Sequence, residues 1–369
     1  MIPVNDLSRE LRFLEGDLSA RFSAFLDAGW MVNGLECSGF EQDLANYLNV
    51  AYAHGVGNGT DALRIAMLSL EIEAGDYVAM TGNAGGYSAT AAMSIGAIPA
   101  WFDVDWSGKA DPNSLDNLLL KADEEGLKIK AVVVTHLFGQ LADVDRIMTI
   151  AKAFGVRVIE DCAQSIGAGL TINALSLSGD VATLSFYPTK NLGALGDGGA
   201  VVTNSDELSR RIAALKQYGW VEKYKNDIRG GFNSRLDEIQ ASFLRLKLPY
   251  LDIWNARRVQ IMNRYLECAS PSFEAIINPV LGYNGHLGVF KVSPSLRTSI
   301  RDAFKDKGVA TDVHYPIPDH MQNAFSGVTL VPLNNTEAFC RGIVSVPLFA
   351  FMEEDEVDQI CALLGRRYE

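Results

Sequence analysis

The sequence predicts an α/β protein: a large unit over residues 1–245, built on a mostly parallel sheet flanked by helices, then a smaller C-terminal α+β unit over residues 246–369. Three observations carry this expectation. Short apolar runs alternate with stretches of helical periodicity through the first half of the chain. Polar and glycine residues follow several of those runs, where ligands gather at the carboxyl ends of parallel strands. From about Arg235 a long amphipathic stretch and shorter strands replace the alternation.

The elements follow in order. Tyr77-Val78-Ala79-Met80, Ala131-Val132-Val133-Val134 and Arg157-Val158-Ile159 read as strands buried on both faces. Between and after them, Thr60 to Leu70, Asp143 to Phe154 and Asp206 to Tyr218 space their apolar residues as helices do. Leu236 to about Cys268 reads as a connecting helix interrupted near Pro249. Short strands at Gly288 to Val292 and Ile343 to Val346, and helices at Thr298 to Lys307 and Asp355 to Leu364, complete the smaller unit.

Length and composition bound the rest. A chain of 369 residues exceeds one ordinary core, which favours two domains. Hydrophobic residues at 48% and charged residues at 21% fit a globular protein, and no apolar run is long enough to cross a bilayer. The start, Met1-Ile2-Pro3-Val4-Asn5-Asp6, lacks the basic and apolar segments of a signal peptide. A net charge of -13 without a basic stripe argues against nucleic acid and anionic membranes as partners. The five cysteines are scattered and form no CxxC pair, so neither a disulfide frame nor a metal site is expected, and a cytoplasmic location is.

Three segments could carry chemistry. Gly57-Asn58-Gly59-Thr60-Asp61-Ala62-Leu63 passes from a strand into a helix; its glycines and the Thr60 hydroxyl suit an anion at a helix start, or simply a capped helix after a turn. It is neither GxGxxG nor a Walker loop. Asp161, closing the run Val158-Ile159-Glu160, needs a partner if buried; a protonated pyridine nitrogen would supply one, whereas capping or solvation needs none. Lys190 follows a strand into Ser185-Phe186-Tyr187-Pro188-Thr189-Lys190-Asn191-Leu192-Gly193-Ala194-Leu195-Gly196-Asp197-Gly198-Gly199. Burial there would depress its pKa, as an amine forming a Schiff base requires; the alternative is a surface lysine in a loop.

Together with Gly231-Phe232-Asn233-Ser234-Arg235-Leu236-Asp237-Glu238-Ile239-Gln240-Ala241, these segments resemble, in order and over nearly the whole chain, the DegT/DnrJ/EryC1/StrS aminotransferases. These are sugar aminotransferases of the aspartate-aminotransferase-like fold type I that use pyridoxal 5′-phosphate (PLP). The resemblance implies that Lys190 forms the Schiff base and shuttles the proton, that Asp161 pairs with the pyridine nitrogen, and that Gln164 contacts the hydroxyl side of the ring. Gly59, Thr60 and Ser185 would hold the phosphate. Tyr87 would stack on the ring; without the resemblance it reads as packing. Asn233 would reach the cofactor phosphate of a neighbouring subunit, making the active unit a homodimer with shared sites; otherwise it caps a helix starting at Arg235. His314, Tyr315 and His320 would lie near the sugar pocket, or in a rigid proline-bounded turn.

Two departures stand out. Gly82-Asn83-Ala84-Gly85-Gly86 precedes Tyr87 where the family often has proline and threonine, and Gly288 follows His286-Leu287 where an aromatic is common. The resemblance implies a transaminase moving nitrogen from an amino acid, usually L-glutamate, to a nucleotide-linked keto-sugar, with the Lys190 segment closest to members acting on dTDP-3-keto-6-deoxyhexoses. The alternatives are a dehydratase of the same fold, whose relatives carry histidine in place of the Schiff-base lysine, and a non-catalytic regulator. A nicotinamide-dependent dehydrogenase would need a glycine fingerprint and an acidic ribose contact that the sequence lacks.

Overall fold

Strands form where short apolar runs are bounded by turns, and in this protein seven of them join one sheet. The structure is a computed structural model that describes residues 1–168, 179–278 and 282–369. The strands are β1 (Tyr52–Val56), β2 (Tyr77–Thr81), β3 (Ile98–Phe102), β4 (Ile129–Thr135), β5 (Arg157–Asp161), β6 (Val181–Ser185) and β7 (Gly199–Thr203), in spatial order β1-β7-β6-β5-β4-β2-β3. From β3 to β6 every pairing is parallel, and β7 is antiparallel to both β6 and β1. Val78, Ala79, Val132, Val133 and Ile159 are all buried, as central parallel strands require.

Helices connect the strands. Gly59–Ser69 follows β1, Tyr87–Ser94 follows β2, Val144–Phe154 follows β4 and Asp206–Leu215 follows β7. The first begins one residue earlier than its periodicity suggests. Its cap is Asn58, whose side chain accepts the Asp61 N–H at 2.8 Å, so the Thr60 hydroxyl is not used for capping. The long amphipathic stretch is two helices, Glu238–Lys247 and Leu251–Cys268, separated by a 3₁₀ turn at Leu248–Tyr250 where Pro249 lacks a donor. The expected division at residue 245 falls near the end of the first.

The C-terminal part has its own antiparallel sheet, β10 (Glu274–Ala275), β11 (Gly288–Lys291) and β12 (Ile343–Val346), after a small hairpin of β8 (Trp220–Glu222) and β9 (Lys225–Asn226). A second apolar cluster gathers there, with Tyr265, Phe290, Phe304 and Ile360 buried. It also takes in Ile2, Leu137 and Phe138, so both ends of the chain and the loop after β4 meet in one core. The helix Glu15–Ala28 buries none of its side chains; Trp30 and Leu35 beyond it are 61% and 86% exposed. Among the described residues no helix is long and apolar enough to cross a membrane.

Candidate active site

The carboxyl ends of β5 and β6, together with the start of the helix after β1, face a cavity of about 660 Å³. Gly59, Thr60 and Ser185 line one end of it. A Cβ on Gly59 would stand 2.8 Å from the Ser185 Cβ, so only glycine lets this helix start close against β6. The first N–H groups of the helix Gly59–Ser69 have no intrahelical acceptor, and with two hydroxyls beside them they form a cradle for a phosphate.

Asp161 lines the same cavity and is 5% exposed. Burial pushes its pKa up; the Ala163 N–H at 3.1 Å, then the Lys190 charge and the Thr135 hydroxyl at 3.3 Å, pull it down. Behind it His136 is tied at both nitrogens. Its Nδ1 accepts the Ala142 N–H at 3.1 Å, so Nε2 carries the proton and donates to Glu160 at 3.2 Å.

Lys190 also lines the cavity, and burial lowers its pKa to about 8 against the opposing pull of Asp161. At neutral pH about a tenth of such amines are unprotonated, far more than for a lysine in water. A tight turn holds it: the Lys190 N–H donates to Tyr187 O at 2.8 Å, and Gly193 packs so closely on Pro188 that a Cβ there would lie 2.3 Å from the Pro188 carbonyl.

The other expected residues divide. Gln164 lines the cavity with its amide fixed at both ends: Oε1 accepts the Phe138 N–H at 2.7 Å and Nε2 donates to the Tyr315 hydroxyl at 3.0 Å. Tyr87 and Tyr315 meet edge to face with centroids 6.3 Å apart, and both line the cavity with His314. Two residues lie elsewhere. His320 packs behind the cavity wall, 6.4 Å from the Trp101 ring, with Nε2 3.6 Å from Glu337. Its neighbour Asp319 is hydrogen-bonded to the loop after β2. Asn233 is exposed, pairs through its backbone with Gln217, and does not cap a helix, since the next helix starts at Glu238 after Asp237.

Sequence reasoning missed a buried polar network beneath Lys190. Asn191 Nδ2 donates to the Asn284 backbone carbonyl at 3.0 Å and to Asn255 Oδ1 at 2.6 Å. A carbonyl only accepts, so Asn191 Oδ1 is the atom facing His286 Nδ1 at 2.9 Å, and that nitrogen holds the proton. Burial, then the charges of Lys190, Arg258 and His314, keep the His286 pKa well below the usual value. His286 is therefore a neutral ring with the lone pair on Nε2, at the wall of the cavity. Its backbone N–H donates to Asn284 Oδ1 two positions away at 3.0 Å, while Asn191 lies 95 positions away in sequence.

The set fits PLP. A phosphate cradle, a buried carboxylate with no salt-bridge partner among the described residues, and a lysine with a depressed pKa share one cavity.

Comparison with known proteins gives the same direction. The model of the DegT/DnrJ/EryC1/StrS aminotransferase family matches residues 14–365. The chain is 32% identical to the UDP-N-acetyl-3-dehydro-α-D-glucosamine 3-aminotransferase of Acidithiobacillus ferrooxidans, covering 99% of this chain and 97% of that one. It is 36% identical to the dTDP-3-amino-3,6-dideoxy-α-D-galactopyranose transaminase of Aneurinibacillus thermoaerophilus, with 99% of each covered. The solved structure of DesV from Streptomyces venezuelae, in complex with a ketimine intermediate, superposes with a TM-score of 0.91 at 32% identity over 100% of this chain and 99% of that one. NtdA from Bacillus subtilis, solved with the cofactor PMP, gives 0.86 at 29% identity over 95% of this chain and 80% of that one. This chain thus belongs to the DegT/DnrJ/EryC1/StrS aminotransferase family, whose members depend on PLP.

Proposed function

We propose that the protein transfers nitrogen from an amino acid, L-glutamate by preference, to the ketone of a nucleotide-linked sugar, a dTDP-3-keto-6-deoxyhexose. The observation that carries this is Lys190, an amine with its pKa lowered to about 8, in one cavity with the Asp161 carboxylate and the cradle at Gly59. Relatives named for sugars aminated at carbon 3 support the acceptor. The lysine at position 190 counts against dehydration, and the intact set of Lys190, Asp161 and Gln164 counts against a non-catalytic regulator.

When bound, PLP supplies a carbonyl that takes up amines and a ring that takes up electrons. The chain's own residues do the rest. Lys190 Nζ holds the cofactor and then accepts and returns the proton of the substrate carbon. Asp161 would pair with the pyridine nitrogen and keep it protonated. Gln164, locked by the Phe138 amide and donating to the Tyr315 hydroxyl, would contact the hydroxyl side of the ring. Gly59, Thr60 and Ser185 bind the phosphate, and Tyr87 covers the ring face. His314 and Tyr315 border the space left for the sugar.

The reading extends to the assembly. The exposed apolar face at Phe22, Leu26, Trp30 and Leu35 suits burial against a second copy of the chain. Asn233, exposed and outside its own cavity, would then serve the partner's phosphate. We also propose that the chain divides into units of residues 1–245 and 246–369 and works in the cytoplasm.

The test is transfer of isotopically labelled nitrogen from L-glutamate. The label is expected in the dTDP-3-keto-6-deoxyhexose supplied, and not when Lys190→Ala replaces the native enzyme. Label passing to simple keto acids with no nucleotide sugar accepted would overturn the substrate class.

A further inference from the structure

The turn Gly82–Gly86, between β2 and the helix that begins at Tyr87, departs from the family's usual residues, and the structure shows what the change accommodates. Gly85 and Gly86 both adopt left-handed backbone, with φ of 80° and 74°. Successive residues of this kind turn their N–H groups to one side and form a concave anion site. A side chain from far along the chain fills it. The Asp319 carboxylate, on a residue only 1% exposed, accepts the Ala84 N–H at 3.3 Å and is also approached by the N–H groups of Gly86 and Gly85. In return the Asp319 N–H donates to Gly82 O at 2.7 Å.

Packing closes the same joint. A Cβ on Gly85 would lie 2.4 Å from the Tyr315 ring, and one on Gly86 would lie 2.3 Å from the Phe325 ring. The segment from Tyr315 to Phe325 therefore sits directly on the turn, and both glycines are needed for it to do so. The two aromatic residues that the joint fixes, Tyr87 and Tyr315, face each other across the cavity wall. Burial raises the Asp319 pKa to about 6 against the pull of those amides, and among the described residues no lysine or arginine is paired with it. A buried acid is costly, and this one is held by the turn's amides and by the Gln322 side chain, whose Nε2 donates at 3.4 Å; an apolar side chain in its place would leave the amides without an acceptor.

We propose that Asp319 is a positioning residue of the cofactor site: through the amides of Ala84, Gly85 and Gly86 it sets the place and ring angle of Tyr87 over PLP, and it ties that turn to the segment carrying Tyr315. The proposal rests on the reading that Tyr87 stacks on the PLP ring. A substitution at Asp319 leaves every group that touches the cofactor in place chemically, and moves one of them.

The experiment titrates apo protein with PLP and records the dissociation constant and the circular dichroism of the cofactor's visible band. Native protein, Tyr87→Ala, Asp319→Ala and the double variant are compared. Tyr87→Ala and Asp319→Ala are each expected to weaken PLP about tenfold, the loss of one or two charge-assisted hydrogen bonds or one ring contact, and to shrink the dichroic band. The double variant is expected to be no worse than either, because the two act through one contact. Asp319→Asn, which keeps the side chain's volume, carries the test if Asp319→Ala fails to fold; it is expected to lie between native and Tyr87→Ala. Weaker PLP in Tyr87→Ala with native affinity and dichroism in both Asp319 variants would overturn the proposal and leave the Tyr87 reading standing. Native behaviour in Tyr87→Ala would overturn the Tyr87 reading, and the proposal with it. Additive losses in the double variant would also overturn the proposal, since Asp319 would then act elsewhere.

Discussion

Lys190 and Asp161 shift each other in opposite senses, and that coupling is testable without substrate. Asp161 raises the lysine's pKa, while burial lowers it to about 8. Asp161→Asn removes the opposing charge, so Lys190 is expected to titrate below that value in the variant. Labelling of the apo protein with an amine-reactive reagent across pH, read by mass spectrometry, reports the shift directly. An unchanged or higher midpoint would mean the two groups do not interact. The same variant is expected to lose roughly 100-fold or more in turnover with its fold intact, since the pyridine nitrogen would lose its anionic partner. At this scale Lys190 and Asp161 were legible as residues that follow or close an apolar run, and Gln164 only through the family resemblance; the structure puts all three on one cavity. The motif of His320 points to the sugar pocket, whereas in this chain the ring lies beside Trp101 and does not line the cavity. The Asn191, Asn255, Asn284 and His286 network was illegible for another reason: Asn284 and His286 share a segment, but Asn191 and Asn255 reach it only in the folded chain.

The helix after β1 shows how one element builds half a binding site. Asn58 caps it, Gly59 brings it against Ser185, and its first amides are left for an anion. Gly59→Ala would place a methyl 2.8 Å from the Ser185 Cβ. Something must move, at a cost of about 1–3 kcal/mol. The expected outcome is a lower melting temperature together with weaker PLP binding, measured by thermal unfolding and cofactor titration. Native affinity would show that the cradle does not hold the phosphate. Strands buried on both faces, such as β2 and β4, were legible as uninterrupted apolar runs. The strand Gly199–Thr203 was not singled out, because its glycine start merges with the glycine-rich segment before it. The helix Glu15–Ala28 gave no signal either: it buries none of its side chains in this chain, so it lacks the stripe that marks a core-facing helix.

The whole molecule carries two features that one chain does not explain, the exposed apolar face around Trp30 and Leu35 and an exposed Asn233 that does not line its own cavity. The proposed shared sites would account for both. In a mixed dimer of a Lys190→Ala subunit with an Asn233→Ala subunit, one site would carry both defects and the other neither. Activity is expected to return in part when the two inactive proteins are mixed and allowed to exchange. No recovery in verified mixed dimers would mean that Asn233 serves its own chain or none. The same features explain what the sequence left open about assembly: an apolar surface helix reads as neither core nor solvent until the fold shows where it lies. The account as a whole depends on one amine. The most direct test is borohydride reduction of the PLP-loaded protein followed by peptide mapping. The predicted result is a single cofactor-tagged peptide with the tag on Lys190, and a tag on any other lysine, or none, would contradict it.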